Sequence, residues 1–262
     1  MNDLILEGKN ITVKIKEKTI IKDIDIKISK GEITSIIGPN GSGKTTLLKV
    51  LSRNIKNYEG EVFLDGKHIK TMNNKFVAKN MAYVSQNYNS NLDLTVEELV
   101  TYGRYAYKSF FGRDTKEDID TVNWAMDRTK LLPFQHRKLS TLSGGERQRA
   151  WIAMSLAQKP KILLLDEPTT YLDICHQIEL LELIKTLNEE DKLTVLMVLH
   201  DINQAARYSN RLFVIKEGRL IKSGCGEEII TEKNLKEIFN IKSKVFKRED
   251  TKKPYFYVLS NS

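Results

Sequence analysis

The segment Gly38-Pro39-Asn40-Gly41-Ser42-Gly43-Lys44-Thr45 joins closely spaced glycines to a lysine and a hydroxyl, the residue set that cradles a phosphate chain. Glycines let the backbone wrap around phosphate oxygens, so that successive N–H groups and the positive end of a following helix face the anion. Lys44 is suited to reach the β- and γ-phosphates and Thr45 to hold Mg²⁺, with Thr46 next in line on the same turn. A second set is Ile162-Leu163-Leu164-Leu165-Asp166-Glu167, an apolar run that delivers two adjacent carboxylates at its end. Burying such a pair is costly unless a cation or a proton offsets the charge. Asp166 fits a metal ligand acting through the water shell of Mg²⁺, and Glu167 a base that takes a proton from the water attacking the γ-phosphate.

These residues need an α/β frame to hold them. Ile33 to Ile37 reads as a short buried strand ahead of the glycine loop, with a helix over Lys44 to Arg53 behind it. Alternating apolar residues at Ile11, Val13, Ile15 and at Ile20, Ile24, Ile26, Ile28 predict an antiparallel strand set. Further strands are expected at Gly60 to Leu64, Met81 to Ser85, Val195 to Val198 and Leu212 to Ile215. Between about Thr95 and Lys130 the apolar period becomes helical, with Thr115 and Asp118 spaced as a capping pair. Helices are also expected near Arg147 to Gln158, stopped by Pro160, and Cys175 to Leu187. Trp124 and Trp151 fall on helices and read as core aromatics.

The 262 residues are 40% hydrophobic and 29% charged, enough for a large core. The longest apolar runs fall well short of the roughly 20 residues that span a bilayer, and Met1 to Asn10 has no signal-type segment, so the chain is expected to stay in the cytoplasm unless a partner recruits it. Cys175 and Cys225 have no metal-ligand spacing and read as small apolar residues. The net charge of +8 is spread along the chain apart from the tail Lys242 to Lys253, which favours a solvated basic surface over a nucleic-acid site.

The two motifs fit many nucleotide hydrolases, and Leu142-Ser143-Gly144-Gly145-Glu146-Arg147-Gln148 narrows the field. This segment resembles the signature of the ABC ATPase family. A serine hydroxyl and paired glycine amides at a helix start make a second anion cradle. The resemblance implies that Ser143, Gly144, Gly145 and Glu146 face the γ-phosphate held by the opposite subunit, so that a head-to-tail pair of chains completes two ATP sites. It also implies a Q-loop glutamine at Gln86 that senses Mg²⁺, a D-loop at Thr170-Tyr171-Leu172-Asp173 with Asp173 at the subunit interface, and a switch histidine at His200. Ile15 falls where the family usually stacks an aromatic ring on adenine, giving burial without stacking.

The implied fold is an α/β P-loop NTPase core with an antiparallel β subdomain and an α-helical subdomain. One ATPase domain is expected over 1–240, with the helical subdomain at about 87–160 and a short C-terminal extension at 241–262. The segments Thr95 to Arg104, Arg147 to Gln158, Leu172 to Gln177 and Leu199 to Arg207 resemble the ATPases of importers for ferric siderophores, haem and cobalamin. That resemblance implies ATP and Mg²⁺ as cofactors, two integral-membrane permease subunits and, indirectly, a substrate-binding protein as partners, no nucleic acid, and a place on the cytoplasmic face of the membrane. Tyr102, Arg104 and Tyr105 are the residues expected to dock a short permease helix. A non-transport ABC ATPase serving nucleic-acid or cofactor assembly, or a transporter for another cargo, is the rival reading.

Overall fold

The computed structural model describes residues 3–86, 93–108 and 113–261, the side chains of Ser260 and Asn261 excepted. Residues 87–92, where the helical subdomain was expected to begin, and 109–112 lie outside the described residues. In chain order the elements open with β1 (Leu4–Ile15), β2 (Lys18–Ser29), β3 (Ile33–Ile37), α1 (Lys44–Leu51), β4 (Glu59–Leu64), β5 (Lys67–His68) and α2 (Asn74–Asn80). They continue with β6 (Met81–Val84), α3 (Val96–Tyr102), α4 (Lys116–Arg128), α5 (Gly144–Ala157), β7 (Ile162–Asp166), α6 (Ile174–Asp191) and β8 (Thr194–Val198). The chain closes with α7 (Ile202–Tyr208), β9 (Arg211–Lys216), β10 (Arg219–Gly224), α8 (Gly226–Ile229), α9 (Glu232–Phe239), β11 (Ile241–Lys247) and β12 (Pro254–Asn261).

Two compact units result, one of Met1–Lys70 with Thr194–Ser262 and one of Thr71–Leu193. In the first, β1 pairs antiparallel with β2 and β4 in the order β2-β1-β4-β5. A second set of strands runs β10-β9-β3-β8, with β3 parallel to both β8 and β9. A strand flanked on both edges and covered on both faces has no wet side, which is why all five residues of β3 are buried and the run carries no alternation. β11 and β12 form a separate antiparallel hairpin in the basic tail.

In the second unit β6 lies parallel to β7, in register from Met81 with Ile162 to Val84 with Leu165. Helices α3, α4 and α5 pack together, each opened by a complete capping box: Thr95 with Glu98, Thr115 with Asp118, and Ser143 with Glu146. At Gly103 the end of α3 meets α5 so closely that a Cβ would stand 2.2 Å from the Met154 carbonyl oxygen. The expected capping pair at Thr115 and Asp118 is therefore present, and the boundaries shift where local chemistry overrides the apolar period. Helix α1 stops at Leu51 because Arg53 takes a left-handed backbone, φ 65°. Helix α5 starts at Gly144 because the Ser143 cap draws two poor helix formers into the first turn.

Three expectations are corrected. Arg104 is 2% exposed and cannot offer a docking surface: its Nε donates to Asp118 Oδ1 at 2.7 Å and its Nη1 to the Ala157 carbonyl at 2.9 Å. Trp124 and Trp151 are half-buried on α4 and α5, their apolar bodies at the edge of the unit, and Lys159 lies across the Trp124 ring at 3.2 Å. Cys175 is exposed on the first turn of α6 and does not fill a core position.

Candidate functional site

In the first unit, β3 ends on the loop 38–43 and α1 begins at Lys44. The loop owes its shape to backbone freedom at two positions. Gly38 has φ 152°, and a Cβ there would overlap the Ile215 carbonyl oxygen at 1.9 Å; Gly43 caps α1 at φ 97°, with Ile21 at 2.5 Å from any added Cβ. Lys44 is 5% exposed and its ammonium donates to the carbonyls of Gly38 and Pro39, both at 3.0 Å, so it arches over the loop it belongs to. Ser42 is 3% exposed and its hydroxyl has no hydrogen-bond partner among the described residues. A buried orphan hydroxyl beside a buried ammonium at a helix start suits an anion that supplies the missing acceptor. Asn40 and Gly41 are exposed, while Pro39, Thr45 and Thr46 are half-buried around the same turn.

His200 stands exposed after β8, and Asp201 caps α7 by accepting from the Gln204 amide at 2.9 Å. Ile15 sits at the end of β1, opposite Lys18 in the hairpin, and is 53% exposed.

In the second unit β7 delivers the two carboxylates. Asp166 is 2% exposed, with the Tyr83 hydroxyl donating to its Oδ2 at 3.1 Å. Glu167 turns the chain at φ 52°, a conformation uncommon for any residue but glycine, asparagine or aspartate. Its Oε2 accepts from Gln86 Nε2 at 2.6 Å and from Thr170 Oγ1 at 3.3 Å, so the expected base and the expected Q-loop glutamine are in direct contact. Strain and two donors fix the half-buried carboxylate at the strand end.

The Leu142–Gln148 segment folds as a capped helix start. Ser143 Oγ accepts from the Glu146 amide at 3.2 Å while Glu146 Oε2 accepts from the Ser143 amide at 2.8 Å. That backbone N–H holds the Glu146 carboxyl below its usual range against the opposing effect of burial. The Ser143 side chain also bonds the Glu146 carboxyl, so an outside anion reaching this exposed turn would have to draw the hydroxyl away from Glu146. The paired glycines differ: Gly144 is open, its nearest contact for an added Cβ being Leu172 at 3.7 Å, whereas Gly145 is closed off by the His176 ring at 2.7 Å. Asp173 caps α6, its Oδ1 accepting from the His176 amide at 3.0 Å and its Oδ2 meeting His176 Nδ1 at 2.6 Å. The His176 amide and ring, in that order, hold the Asp173 carboxyl below its ordinary value. His176 thereby ties the signature turn to the Asp173 turn, a role absent from the motif residues themselves. Tyr83 is the other contributor that the motifs do not reveal, since nothing in a strand alternation marks one tyrosine as a carboxylate partner.

A cradle for a phosphate chain, a fixed carboxylate pair and a second anion-binding helix start define a nucleotide-hydrolysing cassette. A family model described as ABC transporter matches residues 21–170, and the chain belongs to that family. It is 50% identical over 92% of its length to the petrobactin import ATP-binding protein FpuC of Bacillus anthracis, covering 88% of that protein. It is 45% identical over 97% of its length to the iron(3+)-hydroxamate import ATP-binding protein FhuC of Bacillus subtilis (strain 168), covering 94% of it. A bacterial ABC transporter cassette solved as a dimer superposes with a TM-score of 0.73 at 33% identity, over 84% of this chain and 98% of that one. No helix among the described residues is long and apolar enough to cross a membrane.

Proposed function

We propose that this chain hydrolyses ATP to energise the import of an iron chelate, a ferric siderophore or a similar metal chelate such as haem or cobalamin. The observation that carries the hydrolytic reading is Glu167, a carboxylate fixed by a left-handed backbone and by Gln86 and Thr170 at the end of a buried strand. The cargo rests on the two relatives whose names specify petrobactin and iron(3+)-hydroxamate import. Residues 1–240 are the ATPase domain and 241–262 its extension.

The amides of 38–43 with Lys44 and Thr46 hold the phosphates. The donor set for Mg²⁺ is the Thr45 hydroxyl, Gln86 and Asp166, all hard oxygens of the kind that ion takes. When bound, the ion neutralises charge developing on the phosphates. Glu167 accepts the proton of the attacking water and His200 contacts the γ-phosphate. Ser143, Gly144, Gly145, Glu146 and Asp173 meet the nucleotide held by a second copy, in a head-to-tail pair; that a similar cassette was solved as a dimer supports the pairing. ADP lacks the phosphate gripped from both sides, so only ATP favours the closed pair. Driving that pair from mostly open to mostly closed takes a differential of about 5.5 kcal/mol.

Partners are two membrane-spanning permease subunits, served by a substrate-binding protein, which places the chain at the cytoplasmic face of the membrane. Their docking site is the groove of about 550 Å³ along α3 lined by Tyr102, Tyr105, Glu97 and Asp114, with Tyr102 56% and Tyr105 75% exposed. The test is Glu167→Gln. It should bind MgATP, form a stable dimer on a sizing column with ATP but not with ADP, and lose at least about a hundredfold in turnover. Wild-type turnover in that variant removes Glu167 from the base role, and failure to dimerise with ATP removes the paired site.

A further inference from the structure

His200 lies two residues past β8 and two before a helix of only seven residues, α7, too short to hold its own direction. The C-terminal hairpin supplies the hold. The Asn203 side chain reads the Phe256 main chain in both directions: Nδ2 donates to the Phe256 carbonyl and Oδ1 accepts from the Phe256 amide, each at 2.9 Å. The amide thus takes the place of one residue of a neighbouring strand beside β12. At the far end of α7, Lys253 Nζ donates to the Ser209 carbonyl at 2.7 Å. Between them Pro254 fills the gap at Gly226, where an added Cβ would lie 3.4 Å from the proline ring and 3.6 Å from the Ala206 carbonyl of α7. Phe256 itself is 8% exposed, so the segment 253–256 at the start of β12 is seated on α7.

We propose that the hairpin 241–261 belongs to the catalytic switch, with Asn203 as the positioning residue through which β12 fixes the first turn of α7 and hence the direction of His200. This rests on the reading of His200 as a γ-phosphate contact. The Asp201 cap sets where α7 begins, and the Asn203 clamp sets which way it points. A primary amide fits the task because it alone offers one donor and one acceptor at the spacing of a peptide unit. Aspartate would face the Phe256 carbonyl with a second acceptor.

The experiment measures phosphate release from MgATP by the full chain, with ATP affinity and thermal midpoint taken on the same preparations and rates recorded well below each variant's midpoint. Asn203→Ala should lower kcat about tenfold with KM within twofold, because the nucleotide is still held by the loop around Lys44 while His200 is misdirected. Asn203→Asp should fall as far, and Asn203→Gln should recover part of the rate. Added to His200→Ala, Asn203→Ala should lower the rate no further. A normal kcat in Asn203→Ala beside an inactive His200→Ala overturns the proposal and leaves the switch reading intact, as does full additivity of the two. A normal rate in His200→Ala removes the switch reading itself and the proposal with it.

Discussion

Replacing Arg104 by methionine isolates the ion pair that organises the helical arm. The guanidinium is 2% exposed and satisfies Asp118, the Ala157 carbonyl and the face of Tyr107, whose ring centre lies 3.8 Å from Cζ. Burial raises the Asp118 carboxyl, and hydrogen bonds from Arg104 and Thr115 with the Arg104 charge outweigh it, lowering the group from 3.8 to about 2. A depressed folded-state value contributes stability that is complete above the unfolded value and disappears as pH falls through the folded one. Nearly two pKa units correspond to about 2 kcal/mol at pH 7, shared between Arg104 and the Thr115 bonds that the substitution leaves in place. Loss of the Ala157 bond and of the stacked contact brings the total for Arg104→Met to about 3–5 kcal/mol, the usual result of stranding a buried carboxylate. Urea unfolding followed by circular dichroism at pH 7 and pH 3 reads both parts: the difference between wild type and variant should shrink by about 1 kcal/mol at the lower pH. A difference under about 1 kcal/mol at pH 7, or one unmoved by pH, refutes the structural assignment of Arg104.

Gly38→Ala should abolish nucleotide binding, since its Cβ would occupy the Ile215 carbonyl; retained ATP affinity by equilibrium dialysis would show that the loop can reshape. Gly145→Ala should push His176 off Asp173 and cut turnover about tenfold or more, while Gly144→Ala, with 3.7 Å to its nearest neighbour, should leave the thermal midpoint unchanged; equal midpoints for the two would contradict the asymmetry. Lys44→Ala should weaken ATP binding and hydrolysis together, as seen by titration with a fluorescent ATP analogue. Tyr102→Ala with Tyr105→Ala should spare ATP binding by the isolated chain and reduce recovery of the permease complex in co-purification.

Motif residues were legible because their chemistry requires consecutive positions. The 38–45 loop, the Asp166–Glu167 strand end and the Ser143 cap each declare themselves in a handful of residues, and the capping pair at Thr115 follows from local hydrogen bonding alone. Long-range partners leave no such trace. Arg104 looks like a surface cation in sequence, and only the approach of α5, which the bare Cα of Gly103 permits, buries it. The hairpin at β11 and β12 was hidden because the polar Ser243 takes the inward position between Lys242 and Lys244 while Val245 and Phe246 stand side by side, so no apolar alternation announces the strand. Those lysines face out while Ser243 and Phe256 turn inward.

Backbone packing extends the phosphate cradle beyond its motif. The Gly218 amide donates to the Ser42 carbonyl at 3.1 Å, and the Lys22 amide donates to the Gly218 carbonyl at 2.8 Å, so the turn between β9 and β10 is bonded to the loop on one side and to β2 on the other. Gly218 has φ 73°, and a Cβ there would stand 2.4 Å from the Ile20 carbonyl oxygen. Gly43 meets the same oxygen at 3.1 Å from its own Cβ position. Gly218 thus bonds the main chain of Ser42, and its Cβ position, like that of Gly43, is closed by the Ile20 carbonyl. A loop held by neighbouring backbone is fixed before any ligand arrives, and pre-paid order is what lets amides act on charge without reorganising. The glycine at 218 therefore shapes the proposed nucleotide loop alongside those at 38 and 43, although nothing in its local sequence distinguishes it from an ordinary hairpin turn.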